Sequence, residues 1–261
     1  MHALAVDWSG AASDAAQRRS IWVAEASDGG LIGLSGGFTR DEAMREVLGR
    51  LRPTVVVGFD FSFSFPEWFV HRVGAVDGPG AWDAAAARGE DWLSACAPPF
   101  WGRRGRPRPS AHPARPEWRR TECGPARPKS TFQIGGAGSV GTGAVRGMPH
   151  LRRLRDIGVA VWPFDAVGDR GAPVVAEVYP RWATGPVVKS RAAARAEHVA
   201  RLGAAVPRRL APLAVASEDA FDAACAAVAL SLGGWQFPVT DELDRVEGRI
   251  LPVGAPAFAR R

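Results

Sequence analysis

The 261-residue sequence predicts an α/β fold: a mixed five-stranded sheet flanked by helices, with a long irregular insertion after the fourth strand. Three observations predict it. Three short apolar runs precede the first helix. A fourth run is apolar at every position, which suits a strand covered on both faces. A strand-then-helix pattern returns only after residue 170.

In chain order, residues 4–6 are the first strand, and residues 21–25 and 31–36 are the second and third. Asp28-Gly29-Gly30 joins the latter two as a tight hairpin turn. Thr39 starts a helix, with Glu42 three residues on in the spacing of a capping box, and Met44, Val47, Leu48 and Leu51 supply its apolar face. Pro53 ends it, and residues 55–59 form the fourth strand. Residues 62–170 are punctuated by Pro and Gly. A helix is predicted there over residues 82–93, where Ala84, Ala85, Ala86 and Ala87 are good helix formers, and another holds Leu151, Leu154 and Asp156. Phe59, Phe61, Phe63 and Phe65 have period two, the signature of a strand running on into the core. Residues 174–178 are the fifth strand and carry Glu177, and residues 190–202 are a helix. Residues 217–232 are an Ala-rich helix with Ser217 as N-cap and Glu218 and Asp219 in its first turn, where the helix dipole favours acids. Gly233-Gly234 ends it. The chain reads as a single domain, 1–261, with 62–170 inserted in it.

The formal net charge is +6 and the isoelectric point near 10.2. Only Lys129 and Lys189 are lysines, and the abundance of Arg, Ala, Gly and Pro has the look of GC-rich codon usage, so distribution matters more than the total. Residues 103–129, opened by Arg103 and closed by Lys129, hold nine basic residues against Glu117 and Glu122. Trp101, Trp118 and Phe132 are interleaved as candidate stacking faces. That segment is either a nucleic-acid contact or a solvated Arg- and Pro-rich loop. Cys96, Cys123 and Cys225 are odd in number and widely spaced, against a disulfide framework or a zinc knuckle. With no basic region before the first apolar run and no long apolar stretch, the reading is cytoplasmic, with no membrane partner.

The chemistry-bearing residues are carboxylates. Asp7 closes the first strand and Asp60 the fourth. Asp219 and Asp222 lie one turn apart on the Ala-rich helix. Asp222 sits among Phe221, Ala223, Ala224 and Cys225, where an uncompensated charge costs several kcal/mol. Hard oxygen ligands without a His or Cys cluster favour Mg2+ or Mn2+ over zinc. Such a set suits metal-assisted phosphodiester hydrolysis. Three of the acids also have a structural reading: Asp7 before Ser-Gly as a turn former, Asp219 as a capping acid, Glu177 as an ion-pair partner near Arg181.

Five stretches carry a resemblance: Val6-Asp7-Trp8-Ser9-Gly10, residues 58–66 (Gly-Phe-Asp-Phe-Ser-Phe-Ser-Phe-Pro), residues 132–142 (Phe-Gln-Ile-Gly-Gly-Ala-Gly-Ser-Val-Gly-Thr), Glu177-Val178-Tyr179-Pro180, and residues 217–223 (Ser-Glu-Asp-Ala-Phe-Asp-Ala). Together they resemble the predicted ribonuclease H-like nuclease family, a domain-of-unknown-function family. The resemblance implies a ribonuclease H-like sheet, nuclease chemistry, and carboxylates on the first strand, the fourth strand and the last helix. Asp7, Asp60 and one or both of Asp219 and Asp222 match those places, and Asp7, Asp60 and Asp222 are the implied metal ligands. Glu177, on the fifth strand, is a further catalytic candidate.

Gly136, Gly138 and Gly141 satisfy G-x-G-x-x-G. A dinucleotide site also needs a strand before the loop and a helix directly after it, and Gly143, Gly147 and Pro149 argue against that helix. Gly136, Gly138, Ser139 and Thr142 remain candidates for holding a phosphate through exposed N–H groups and hydroxyls. The resemblance makes this loop a signature expected near the acids. Two other functions fit the sequence less well: an ATP-dependent phosphotransferase of the actin and sugar-kinase group, and a catalytically silent nucleic-acid- or partner-binding module.

Overall fold

A computed structural model describes residues 1–124, 128–136, 138–168 and 171–254. They cluster into two compact units. The first comprises Met1–Asp60, Val167–Pro238 and the chain from Leu251, and the second Phe61–Ala166 and Val239–Ile250. In chain order the first unit opens with β1 (His2–Asp7), α1 (Asp14–Ser20), β2 (Trp22–Ser27), β3 (Gly30–Gly36), α2 (Arg40–Gly49) and β4 (Val56–Phe59). The second unit contributes α3 (Glu67–Arg72), α4 (Gly78–Ala95), α5 (Gly141–Asp156) and β5 (Ala160–Trp162). The first unit resumes with β6 (Val174–Glu177), α6 (Pro180–Thr184), α7 (Ala192–Leu202), α8 (Ala211–Ala216) and α9 (Glu218–Ser231), and α10 (Glu242–Glu247) completes the second.

The first unit is built on a mixed sheet in the order β3-β2-β1-β4-β6. β1 pairs antiparallel with β2, and β2 with β3. β1, β4 and β6 run parallel. The α/β class, the mixed sheet and the flanking helices are as the sequence predicts. At the β2–β3 hairpin Asp28 and Gly29 take φ of 48° and 81°, the left-handed pair of a two-residue turn matched to strand twist. Thr39 and Glu42 make the full capping box of α2.

Helix α9 is the central helix of this unit and packs on β1, β2, β3 and β4. Ala220 through Ser231 are all buried. Its run of alanines and the absence of a side chain at Gly58 of β4 let helix and sheet approach closely. A Cβ at Gly58 would stand 2.8 Å from both Leu230 and Val178. Helix α1 escaped the sequence reading. Ser13, whose hydroxyl accepts from the Ala16 N–H, and Asp14 in the first turn are the signals that mark it.

The second unit holds more regular structure than its Pro and Gly content predicts. Phe61, Phe63 and Phe65 are buried, yet β4 ends at Phe59, so the period-two run is not a longer strand. Those rings reach a core from irregular backbone: Phe65 stacks with Phe132 at 5.9 Å and meets Phe69 edge-on at 4.9 Å. Burial of aromatic area and ring packing replace the ladder hydrogen bonds as the stabilising force. Helix α5 runs unbroken through Gly143, Gly147 and Pro149, which corrects the expectation of a broken segment. Its glycines serve close packing. A Cβ at Gly147 would lie 2.5 Å from Phe61, and one at Gly89 of α4 would lie 2.7 Å from Val145 of α5. Packing on α4 outweighs the hydrogen bond and the clash that an interior Pro costs.

The two segments of the second unit are joined by arginines. Arg119 is fully buried; its Nε and Nη2 donate to Glu122 Oε1 at 3.1 and 2.8 Å, and its Nη1 to the Glu247 carbonyl at 3.1 Å. Arg120 forks onto Asp241 at 2.7 and 2.8 Å and onto Asp244 at 2.6 Å. The Arg120 N–H donates to Glu247 Oε2 at 2.7 Å.

Candidate functional site

The register of the parallel strands fixes where the acids fall. Val6 of β1 pairs with Phe59 of β4, so Asp7 and Asp60 close adjacent strands at one level. The Trp8 N–H donates to Asp60 Oδ1 at 2.7 Å and ties the two strand ends together. On these strands side chains alternate between faces. Asp7 and Asp60 therefore share the face of Ala5 and Gly58. That is the face on which α9 packs, since Leu230 closes over Gly58. From α9 come Asp222, in the buried stretch, and Asp219, one turn earlier.

Electrostatics show that these four carboxylates act on one another. Burial pushes Asp7 well above the ordinary carboxylate range, and the charges of Asp60, Asp222 and Asp219 push it further. Burial raises Asp60 to about 7, with Asp222 and Asp219 adding to it and the Trp8 hydrogen bond opposing. Asp219 is raised to about 6 by burial, then by Asp222 and Glu218. Asp222 is raised by burial. Groups that each resist ionisation, gathered at one sheet edge, mark a functional-site candidate.

One cation answers all four. The Lys189 ammonium is paired with Asp222 Oδ2, and its field lowers the pKa of Asp7, Asp60, Asp219 and Asp222 alike. Lys189 lies in the turn before α7, and buried Arg195 of that helix fixes the turn: Nη1 donates to the Lys189 carbonyl at 2.5 Å, and Nε and Nη2 to the Val215 carbonyl at 3.0 and 2.8 Å. Arg181 Nη1 holds the Val187 carbonyl at 2.7 Å. Sequence reasoning missed Lys189. The signal was a lysine in a chain whose 33 basic residues are otherwise almost all arginine.

Glu177 is placed differently. It pairs in register with Phe59, so alternation turns it to the face opposite Asp7 and Asp60, and it is separated from their set. The glycine loop belongs to the second unit. Gly136 and Gly138 are exposed with φ of 80° and 71°, Ser139 and Thr142 are half-buried, and residue 137 lies outside the described residues. α5 follows the loop directly, contrary to the sequence reading, but among the described residues no strand leads into it, so the dinucleotide context is still incomplete.

The basic segment is only partly free to meet a ligand. Arg119 and Arg120 are spent on the internal pairs described above. Arg108 pairs with Glu117 at 2.5 Å and covers Trp101 and Trp118, with its guanidinium 5.8 and 4.9 Å from their ring centroids. Phe132 is 1% exposed, which removes it as a stacking face for bases. Arg103 and Arg106 are exposed around an open pocket of about 400 Å³ against Trp101, and Arg104 is exposed as well. Residues 125–127 of this segment lie outside the described residues.

The chemistry of the acidic set fits a hard divalent cation. It offers only oxygen donors, and Asp222 Oδ1 is a buried acceptor with no hydrogen-bond partner. The set is not gathered around an ion as it stands. Among the described residues no three His, Cys, Asp or Glu side chains are grouped as ready ligands. Asp222 is turned to Lys189 instead. Among the described residues no helix is long and apolar enough to cross a membrane. No protein-family model, curated protein or solved structure matches the chain.

Proposed function

We propose that this chain is a Mg2+- or Mn2+-dependent nuclease that hydrolyses phosphodiester bonds in DNA or RNA. The observation that carries the reading is the placement of Asp7 and Asp60 at two adjacent strand ends on the sheet face that α9 covers, with Asp222 in the buried stretch of that helix raising the pKa of both. Asp7, Asp60 and Asp222 would hold the metal, with Asp219 at the margin. When bound, a divalent ion supplies charge stabilisation at the phosphoryl oxygens and activation of water. The strand order supports the ribonuclease H-like resemblance, because it sets the first and fourth strands side by side and so brings their terminal acids together.

The protein's own contribution is placement and charge. Trp8 anchors Asp60 through its backbone N–H, so that one carboxylate is fixed while the others adjust. Burial keeps all four acids averse to ionisation, so they gain most from a cation that neutralises them. The exposed Arg103, Arg104 and Arg106 would contact the nucleic-acid backbone, which carries no sequence information and gives affinity that falls with salt.

The test is cleavage of labelled single- and double-stranded DNA and RNA with Mg2+ or Mn2+. Asp7→Asn, Asp60→Asn and Asp222→Asn are each expected to lower the rate by about 100-fold or more. Cleavage that needs no divalent ion, or that survives Asp7→Asn and Asp60→Asn, overturns the reading.

A further inference from the structure

Lys189 carries the charge sign of a metal and is paired directly with the acidic set, whereas Arg181 acts on Asp222 through its field. Three observations bear on its role. It is paired with the carboxylate, Asp222, that offers a second, partnerless oxygen. Its field acts on all four acids of the set. Its backbone is strapped in place by the buried guanidinium of Arg195, so the ammonium is aimed by the fold and does not merely drift on a surface loop.

We propose that Lys189 is the residue that sets cation selectivity at this site: its ammonium holds Asp222 in the metal-free protein, and only an ion of higher charge displaces it. The inference rests on the metal-site reading of Asp7, Asp60 and Asp222. A monovalent ion carries no more charge than the ammonium already there, and it would have to replace a charge-assisted hydrogen bond as well. A divalent ion brings twice the charge to four carboxylates at once. Loading then requires Asp222 to turn from Lys189 toward Asp7 and Asp60, which accounts for a set that is electrostatically coupled yet not grouped as ready ligands. Lys189 is a positioning residue in this scheme, acting through Asp222.

Mn2+ binding to the purified protein, measured by titration calorimetry or by loss of the free-ion paramagnetic resonance signal, tests it without recourse to activity. Lys189→Met removes the competitor and is expected to tighten Mn2+ binding by about tenfold or more. Lys189→Arg keeps a cation and is expected to stay close to the wild type. A second measurement needs no variant. In protein labelled at the lysine side-chain nitrogen, the Lys189 resonance is expected to move as Mg2+ is added and to stay still when Na+ replaces it. Mn2+ binding that is equal or weaker in Lys189→Met, or a Lys189 resonance indifferent to Mg2+, overturns the selectivity role while leaving the metal site standing. Mn2+ binding that Asp7→Asn and Asp222→Asn do not alter overturns the metal-site reading itself, and this inference with it.

Discussion

At the scale of single residues, the cost of the acidic set is itself informative. Asp7 is 7% exposed among three other acids, and a fold selected for stability alone would replace it with an amide of the same shape. Asp7→Asn is therefore expected to abolish metal-dependent activity and yet stabilise the fold at about pH 8 without divalent ions by on the order of 1–2 kcal/mol, seen as a raised thermal midpoint. Thermal denaturation checks it, and a lowered midpoint would mean that Asp7 is held by partners and serves the fold. Arg119 makes the opposite case. It is fully buried, and Glu122 beside it is buried as well, so truncating one leaves the other uncompensated. Arg119→Met is expected to cost about 3–5 kcal/mol in chemical denaturation. A loss within error of zero would place the pair among ordinary surface ion pairs.

At the scale of elements, local signals were legible where a side chain satisfies its own backbone. The α2 start is the clearest instance. Thr39 and Glu42 cap it reciprocally, and Arg18 of α1 grips Glu42 at 2.5 and 2.7 Å. That grip, with the Thr39 N–H, holds the Glu42 carboxyl down to about 2, against an ordinary 4.5. A depressed carboxyl stabilises the fold fully above its unfolded value and ceases to do so as pH falls through its folded one. Glu42→Gln is thus expected to lower the thermal midpoint at neutral pH, with the deficit shrinking from about pH 4.5 and gone below about pH 2. A deficit of constant size across that range would assign the effect to lost packing. The hairpin at Asp28-Gly29, the strands that carry Asp7, Asp60 and Glu177, and α9 with its Ser217 cap were legible for the same reason: turn chemistry, apolar runs and caps are local. Helix α1 was missed although its Ser13 cap is a local signal; the other failures were tertiary. Pro149 and the glycines of α5 read as breaks because their compensation lies across the chain, in Phe61 and in α4. Phe61, Phe63 and Phe65 read as strand because periodicity does not distinguish a pleated strand from bent chain packed in an aromatic cluster. Strand alternation, available only once the register of β6 on β4 is known, separates Glu177 from the other acids.

At the scale of the whole molecule, charge is unevenly spread, and the spread changes what the basic isoelectric point means. Arg108, Arg119 and Arg120 are neutralised within the second unit, so among the described residues the apparent nucleic-acid footprint shrinks to the exposed Arg103, Arg104, Arg106, Arg115 and Lys129. At the acidic set of the first unit the local imbalance is the reverse, four acids facing Lys189. A folded state that gathers like charges is weakened by them, and any ligand that binds it and not the unfolded chain repays the loss through mass action. Mg2+ or Mn2+ is therefore expected to raise the thermal midpoint of the wild-type protein, by an amount equivalent to about 2.7 kcal/mol at a concentration 100 times the dissociation constant. Na+ at matched ionic strength controls for screening, which eases repulsion among exposed charges but reaches buried ones weakly. The increment from Mg2+ beyond that of Na+ is expected to vanish in Asp222→Asn, where α9 keeps its shape and loses its ligand. Scanning calorimetry over a divalent titration reads the difference directly. An increment of the same size in wild type and Asp222→Asn would assign the stabilisation to carboxylates outside this site and leave the four acids without a cation to explain them.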